Sequence, residues 1–170
     1  VSGDKIRAGD VLLRFEWMNQ AEVRYHRDVS NKLQAGARDH LTGLLTRAFL
    51  EQRLGGLIEE LDRRGQSACC LMLDLDHFKS VNDTYGHLTG DQVIQGLARL
   101  LRDRFRQTDS VGRYGGEEFA VVMPNCSIGN AIDIFEELRE QFAHLQFQYD
   151  DTTFSCTFSV GVSVCKFSFE

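Results

Sequence analysis

Two groups of carboxylates in this sequence stand where chemistry, rather than solubility, accounts for them. Asp74 and Asp76 close the apolar run Cys69-Cys70-Leu71-Met72-Leu73, and Glu117 and Glu118 open the apolar run Phe119-Ala120-Val121-Val122-Met123 directly after Gly115-Gly116. Acids at the end of an otherwise apolar strand are costly to half-bury unless a cation or a donor meets them. Two bare carboxylates ~4 Å apart repel by roughly 4 kcal/mol at an effective dielectric near 20. A hard divalent ion relieves that repulsion. Mg²⁺ takes one or two carboxylates and leaves its other positions to water and phosphates.

The elements that must position these acids follow from pattern. Residues 111–114 and 117–123 read as strands, and the two intervening glycines predict a two-residue type I′ turn with positive φ at both. Alternation puts Glu118 with Ala120 and Val122, and Glu117 with Phe119 and Val121. The continuous apolar run 69–73 is expected of a strand covered on both faces. Its two terminal acids share a face, so a hairpin lying beside it brings Asp74, Asp76 and Glu117 together.

The remaining chain is read in order. At 170 residues it holds one domain with a sizeable core plus an appendage. A net charge of −6 without Lys/Arg clusters excludes nonspecific nucleic-acid binding, and no apolar run approaches the ~20 residues of a membrane helix. Five cysteines without CxxC or His-paired spacing read as buried reduced thiols of a cytoplasmic protein. Residues 1–16 read as a hairpin, the end of an upstream sheet domain, and 17–38 as an amphipathic linker helix with a narrow seam. A helix over 47–64 is capped by Thr46, and Gly55-Gly56 within it predicts close packing or a break. A helix over 90–104 opens on the capping box Thr89-Gly90-Asp91-Gln92 and buries Val93, Ile94, Leu97, Leu100 and Leu101. His87 reads as a hydrogen-bonded structural histidine. Ser127 caps a helix over 128–145 whose core face is Ile132, Phe135, Leu138 and Phe142, and 152–160 and 161–165 supply strands. Helices over a sheet in βαββαβ-like order predict an α/β (α+β) fold of ferredoxin-like type.

Gly115-Gly116-Glu117-Glu118-Phe119, together with Asp39-His40-Leu41-Thr42-Gly43-Leu44, Asp74-Leu75-Asp76-His77-Phe78-Lys79-Ser80-Val81-Asn82-Asp83, Tyr85-Gly86-His87 and Gly90-Asp91, resembles the GGDEF family of diguanylate cyclases in its GGEEF variant. The resemblance covers residues 39–170 and implies a nucleotidyl-cyclase palm: a central mixed β-sheet flanked by helices. It implies condensation of two GTP into cyclic di-GMP at a homodimer interface, with Asp74, Glu117 and Glu118 catalytic. Asp74, Glu117 and the Leu75 carbonyl are implied to hold Mg²⁺, with Mn²⁺ as an alternative. Phe78, Lys79, Asn82, Asp91, Gly115 and Gly116 are implied to bind substrate. Arg106-Gln107-Thr108-Asp109 stands five residues before Gly115, the spacing of the family's product-inhibition site, and Arg139 is the candidate second arginine. Family members continue into a helix bearing Ala-Lys-x-x-Gly-Arg, so this domain is expected to lack it. Residues 9–15 are similar to the closing strands of forkhead-associated domains, which implies a phosphopeptide partner upstream. The competing reading is an inactive domain that binds cyclic di-GMP or relays a signal.

Overall fold

The computed structural model describes residues 5–8, 11–14, 20–21, 23–24 and 36–166. The chain divides into two compact units, Val1–Gly36 and Ala37–Glu170. In the first, β1 (Lys5–Ala8) and β2 (Val11–Arg14) pair antiparallel, with Lys5 opposite Arg14 and Ala8 opposite Val11. Of the expected linker helix over 17–38, Gln20, Ala21, Val23 and Arg24 are helical, Gly36, Ala37 and Arg38 form a turn and a bridge to Leu45 instead, and the rest lies outside the described residues. Among the described residues no helix is long and apolar enough to cross a membrane.

The second unit runs β3 (Leu45–Thr46), α1 (Arg47–Arg64), β4 (Ser67–Leu75), α2 (Phe78–Tyr85), α3 (His87–Arg104), β5 (Ser110–Arg113), β6 (Glu118–Pro124), α4 (Ile128–Ala143), β7 (Phe147–Tyr149), β8 (Thr152–Phe154) and β9 (Phe158–Lys166). A five-stranded sheet has the order β3-β5-β6-β4-β9. β3 and β5 are parallel and the other pairs antiparallel. The sheet is therefore mixed, and β4, β5, β6 and β9 with their helices have the expected ferredoxin-like arrangement.

Alternation along β4 and β6 sorts the two faces. Cys69, Leu71, Leu73 and Leu75 share a face with their neighbours Phe119, Val121 and Met123, and α3 and α4 cover it with Val93, Leu97, Leu101, Phe135, Leu138 and Phe142. Fully burying such a side chain contributes roughly 1.5–3 kcal/mol, so this face holds most of the core. On the other face α1 covers only one end, through Leu54, Leu57 and Leu61 against Ala68, Cys70 and Val122. Beyond that patch Met72 is 42% exposed and Asp74 lies open. The expectation that β4 is covered on both faces therefore holds for only part of its length.

Other departures have local causes. α1 passes through Gly55 and Gly56 unbroken, and a Cβ at either would meet nothing within 4 Å, so neither close packing nor a break occurs there. Thr46 occupies the N-cap of α1, but its hydroxyl reaches the Ala37 carbonyl (3.5 Å) instead of capping. α3 starts at His87, one turn earlier than its expected capping box, so Thr89 is buried inside the helix rather than capping it. His87 itself is exposed at that start. Ser127 does cap α4, accepting from the Asn130 amide at 3.2 Å. The buried seam of α4 is Ala131, Phe135, Leu138 and Phe142, which leaves Ile132 46% exposed, about 100° off the seam. The expected strand 152–160 is divided: β7 and β8 form a separate hairpin, and β9 begins at Phe158. All five cysteines are free, with Cys69 and Cys156 buried. Burial, then the adjacent Cys165 sulfur at 3.7 Å, pushes the Cys70 thiol up to about 12, so it stays protonated.

Candidate active site

The acidic cluster assembles because β4 and β6 are antiparallel neighbours. Asp74 stands opposite Glu118 in register, with Ser159 of β9 on its other side. Like charges directly opposite on a sheet repel. Glu117 lies in the turn just before β6, and its carbonyl accepts from the Leu75 amide at 3.4 Å, joining the turn to the end of β4. Burial first, then the charges of Asp74 and Glu118, raise the Glu117 carboxyl above its ordinary value. Among the described residues no Lys, Arg or His forms an ion pair with Asp74, Glu117 or Glu118.

Asp76 does not join them. Its carboxylate accepts from the hydroxyls of Thr157 and Ser159, each at 2.6 Å, and its amide donates to the Thr157 carbonyl at 2.9 Å. The acid shares the face of Asp74, as its spacing predicts, since Ser159 stands opposite Asp74 in register, but its oxygens are taken by the two hydroxyls. It pins β9 to β4 instead.

The turn also differs from expectation. Neither Gly115 nor Gly116 has positive φ. The Tyr114 and Gly115 amides both donate to the Glu118 carbonyl, at 2.8 and 3.2 Å, leaving a three-residue loop of Gly115, Gly116 and Glu117. At Gly115 a Cβ would push aside the Glu118 carboxylate, the far end of an exposed side chain, so glycine there keeps that carboxylate close to the turn. Beside Gly116 the space is open.

The side chains implied to bind nucleotide are grouped around α2 and α3. Phe78 is buried, so only its backbone is available to a ligand, whereas Lys79 is exposed in the first turn of α2. His77 precedes them in the left-handed region (φ 55°) and turns the chain from β4 into α2. Asn82 lies so close to Gly90 that a Cβ on Gly90 would strike its amide oxygen, which brings Asn82 beside Asp91. In the arginine motif the Arg106 amide donates to Asp109 Oδ2 and the Asp109 amide to the Arg106 carbonyl, both at 3.0 Å, so a compact turn leaves the guanidinium exposed. Arg139 is paired with Glu136 at 2.8 Å and does not line the cleft beside Arg106, to which α4 contributes Asn130 and Ile134.

The donor set fits a hard cation. Among the described residues no three His, Cys, Asp or Glu side chains gather in ligating geometry. A thiolate–imidazole site of zinc type is thus not present there. Two carboxylates at the end of β4, without an ion pair among the described residues, are a Mg²⁺-type set, since Mg²⁺ draws its other oxygens from water and phosphate.

Asp39, expected only as part of a family motif, and Arg113, expected only as a strand residue, meet at the turn. Arg113 Nε and Nη2 donate to the Gly116 carbonyl at 3.1 and 2.6 Å, while Nη1 donates to both Asp39 carboxylate oxygens at 3.3 Å. Their sequence signals were an arginine directly before Tyr-Gly-Gly and the Asp-x-x-Thr spacing of Asp39 and Thr42.

Comparison with known proteins bears on the family and the fold. Residues 36–168 match the family model described as "Diguanylate cyclase, GGDEF domain". The chain is 37% identical over 153 residues to diguanylate cyclase DgcP of Pseudomonas aeruginosa, covering 90% of this chain and 23% of that protein. It is 34% identical over 138 residues to the response regulator PleD of Caulobacter vibrioides, covering 80% and 30%. The coiled coil and GGDEF domain of DgcB from Caulobacter crescentus, solved in complex with c-di-GMP, superimposes with a TM-score of 0.79 at 31% identity, covering 86% of this chain and 78% of that one. The fold is the palm-like α+β fold of GGDEF domains, a mixed central sheet flanked by helices. The chain belongs to the GGDEF diguanylate cyclase domain family. It spans about a quarter to a third of the length of the curated relatives it matches.

Proposed function

We propose that the second unit is the catalytic domain of a diguanylate cyclase of the GGEEF variant, joining two GTP into one cyclic di-GMP with release of two pyrophosphates. The observation that supports this reading is the gathering of Asp74, Glu117 and Glu118 at one end of the sheet, with no ion pair to any of them among the described residues, in a chain of this family. The Asp74 and Glu117 carboxylates and the Leu75 carbonyl would hold Mg²⁺, or Mn²⁺ in its place. Bound there, the ion would lower the pKa of the attacking hydroxyl and offset charge on the leaving pyrophosphate.

In each half-reaction a 3′-oxygen bonds to the α-phosphorus of the opposing nucleotide, the α–β bridging P–O bond breaks and the hydroxyl proton is released. Glu118 faces Asp74 and keeps the site anionic. The backbone at Phe78 and the Lys79 ammonium would take the phosphates at the start of α2, where amide groups and the helix dipole favour anions. The open side of Gly116 would admit the nucleotide. Asp91 would accept from guanine N1–H and the 2-amino group and Asn82 would complete the base contact; adenine carries an acceptor at N1 and leaves these groups unpaired. One domain holds one GTP, so turnover needs a homodimer. Arg106 and Asp109 would bind cyclic di-GMP as an inhibitor, with Arg106 forking onto guanine O6 and N7. Arg139 would contribute only after leaving Glu136.

The test is incubation of the full-length protein with GTP and Mg²⁺, followed by nucleotide separation. Cyclic di-GMP and pyrophosphate are expected in a 1:2 ratio, at a rate rising steeply with protein concentration, with ATP untouched. Intact GTP at the end, or equal turnover by a protein held monomeric, overturns the reading. A nucleotide substrate and free thiols support a cytoplasmic site for this activity, which cell fractionation checks. The β1–β2 hairpin would close a forkhead-associated-like domain that takes a phosphothreonine peptide. Failure of the full-length protein to bind such a peptide removes that partner.

A further inference from the structure

We infer that Arg113 is the positioning residue of the loop Gly115, Gly116 and Glu117, and that Asp39 holds Arg113 in place, so that the segment through which the chain enters the domain sets the shape of the loop. The kinetic consequences rest on the cyclase reading; the structural consequence does not.

The loop has few other restraints. Two amides share the Glu118 carbonyl, and the bond from Leu75 to Glu117 is long at 3.4 Å. No side chain packs where a Gly116 Cβ would stand. Among the described residues the Gly116 carbonyl accepts only from Arg113. One planar guanidinium thus bridges two acceptors from separate segments, which a lysine point charge cannot do with the same fork.

The bridge is also shielded from water. Arg113 and Asp39 side chains are each 16% exposed, whereas in every other ion pair among the described residues both partners are more than 40% exposed. Charge-assisted bonds with both partners covered are stronger than exposed ones and more costly to break one-sidedly. Asp39 is fixed in turn. Its carboxylate accepts from the Thr42 amide (2.9 Å) and hydroxyl (2.7 Å), and its backbone bonds to Leu44 and Gly43, each at 2.8 Å. The Thr46 amide ties down Ala37, where the unit begins. A displacement of residues 37–39 is thereby passed to Gly116 through two directional contacts, and Glu117 is the next residue along.

The experiment compares full-length wild type, Arg113→Lys, Arg113→Ala and Asp39→Asn by amide hydrogen exchange and by steady-state GTP kinetics. Exchange at Gly116 and Glu117 should rise about tenfold or more in all three variants, with the β4 core amides unchanged. The kcat should fall about ten- to a hundredfold, the loss expected of misplacement by about 1 Å, while KM for GTP stays within about twofold. Added guanidinium should partly restore Arg113→Ala and leave Arg113→Lys unchanged. Wild-type loop exchange and wild-type kcat in Arg113→Lys would overturn the inference. If wild type itself makes no cyclic di-GMP, the cyclase reading fails while the exchange data still decide this one. Should Arg113→Ala not fold, Arg113→Lys and Asp39→Asn decide it.

Discussion

Asp39 and Glu117 both act on the Gly115-Gly116 turn, in opposite surroundings. Burial pushes Asp39 up, but the Thr42 hydroxyl and amide and the Arg113 guanidinium outweigh it, so the carboxyl sits below its ordinary value. At Glu117 burial acts in the same direction, and the neighbouring charges are Asp74 and Glu118, so the carboxyl sits above its ordinary value. One acid has been given its counter-charge by the chain and is structural. The other has no ion pair among the described residues, and a cation bound there would relieve the cost. The contrast separates scaffold from active site more cleanly than burial does, because both residues are partly covered.

The sharpest way to break this contrast is to remove the unpaired acid. Glu117→Ala should lower cyclase turnover about a thousandfold or more, the scale of removing a charged group that acts on the transition state, with the far-ultraviolet dichroism unchanged; near-wild-type turnover would return Glu117 to the scaffold. Asp39→Asn should destabilise the domain by about 1–3 kcal/mol at neutral pH. Because the folded pKa of Asp39 is depressed, its contribution is present above the unfolded value and is lost as pH falls through the folded one. Urea titrations of both proteins should therefore converge in acid.

Glu117→Gln should do the reverse in Mg²⁺-free buffer, stabilising the domain by up to about 1 kcal/mol near pH 7. A raised folded pKa means stability is lost as pH rises from the unfolded value through the folded one, so the gain should vanish at low pH. Mg²⁺ should raise the melting temperature of wild type and leave that of Glu117→Gln nearly unchanged. The smallest effect sharpens the geometry of the turn. Gly115→Ala, whose Cβ meets the Glu118 carboxylate, should cost about 1 kcal/mol, while Gly116→Ala, in open space, should melt within about 0.5 kcal/mol of wild type. Its penalty should appear as weaker GTP binding by calorimetry.

The two faces of the sheet show how far pattern carries. Leu71 and Leu73 are buried, as the apolar run of β4 requires, but nothing in that run says that helices cover one face fully and the other at one end only. Met72 therefore reads as core and is 42% exposed. Asp74 and Asp76 look equivalent by spacing. Two hydroxyls some eighty residues further along, Thr157 just before β9 and Ser159 within it, claim Asp76 and leave Asp74 open. Gly115-Gly116 read correctly as a turn. Its conformation did not follow, because a guanidinium from β5 fixes the Gly116 carbonyl, and no local φ preference contains that contact.

The sequence alone determined the helices with clear seams, the two strands that bring the acids together and the family to which those motifs belong. All of these are written in periodicity and in residues adjacent along the chain. Tertiary structure decided which carboxylates are paired and which are bare, how the glycine turn closes, and that Arg113 ties it to Asp39. Those choices depend on partners brought close only when the sheet forms, and the pairing of charges is set by distance in space rather than by separation in sequence.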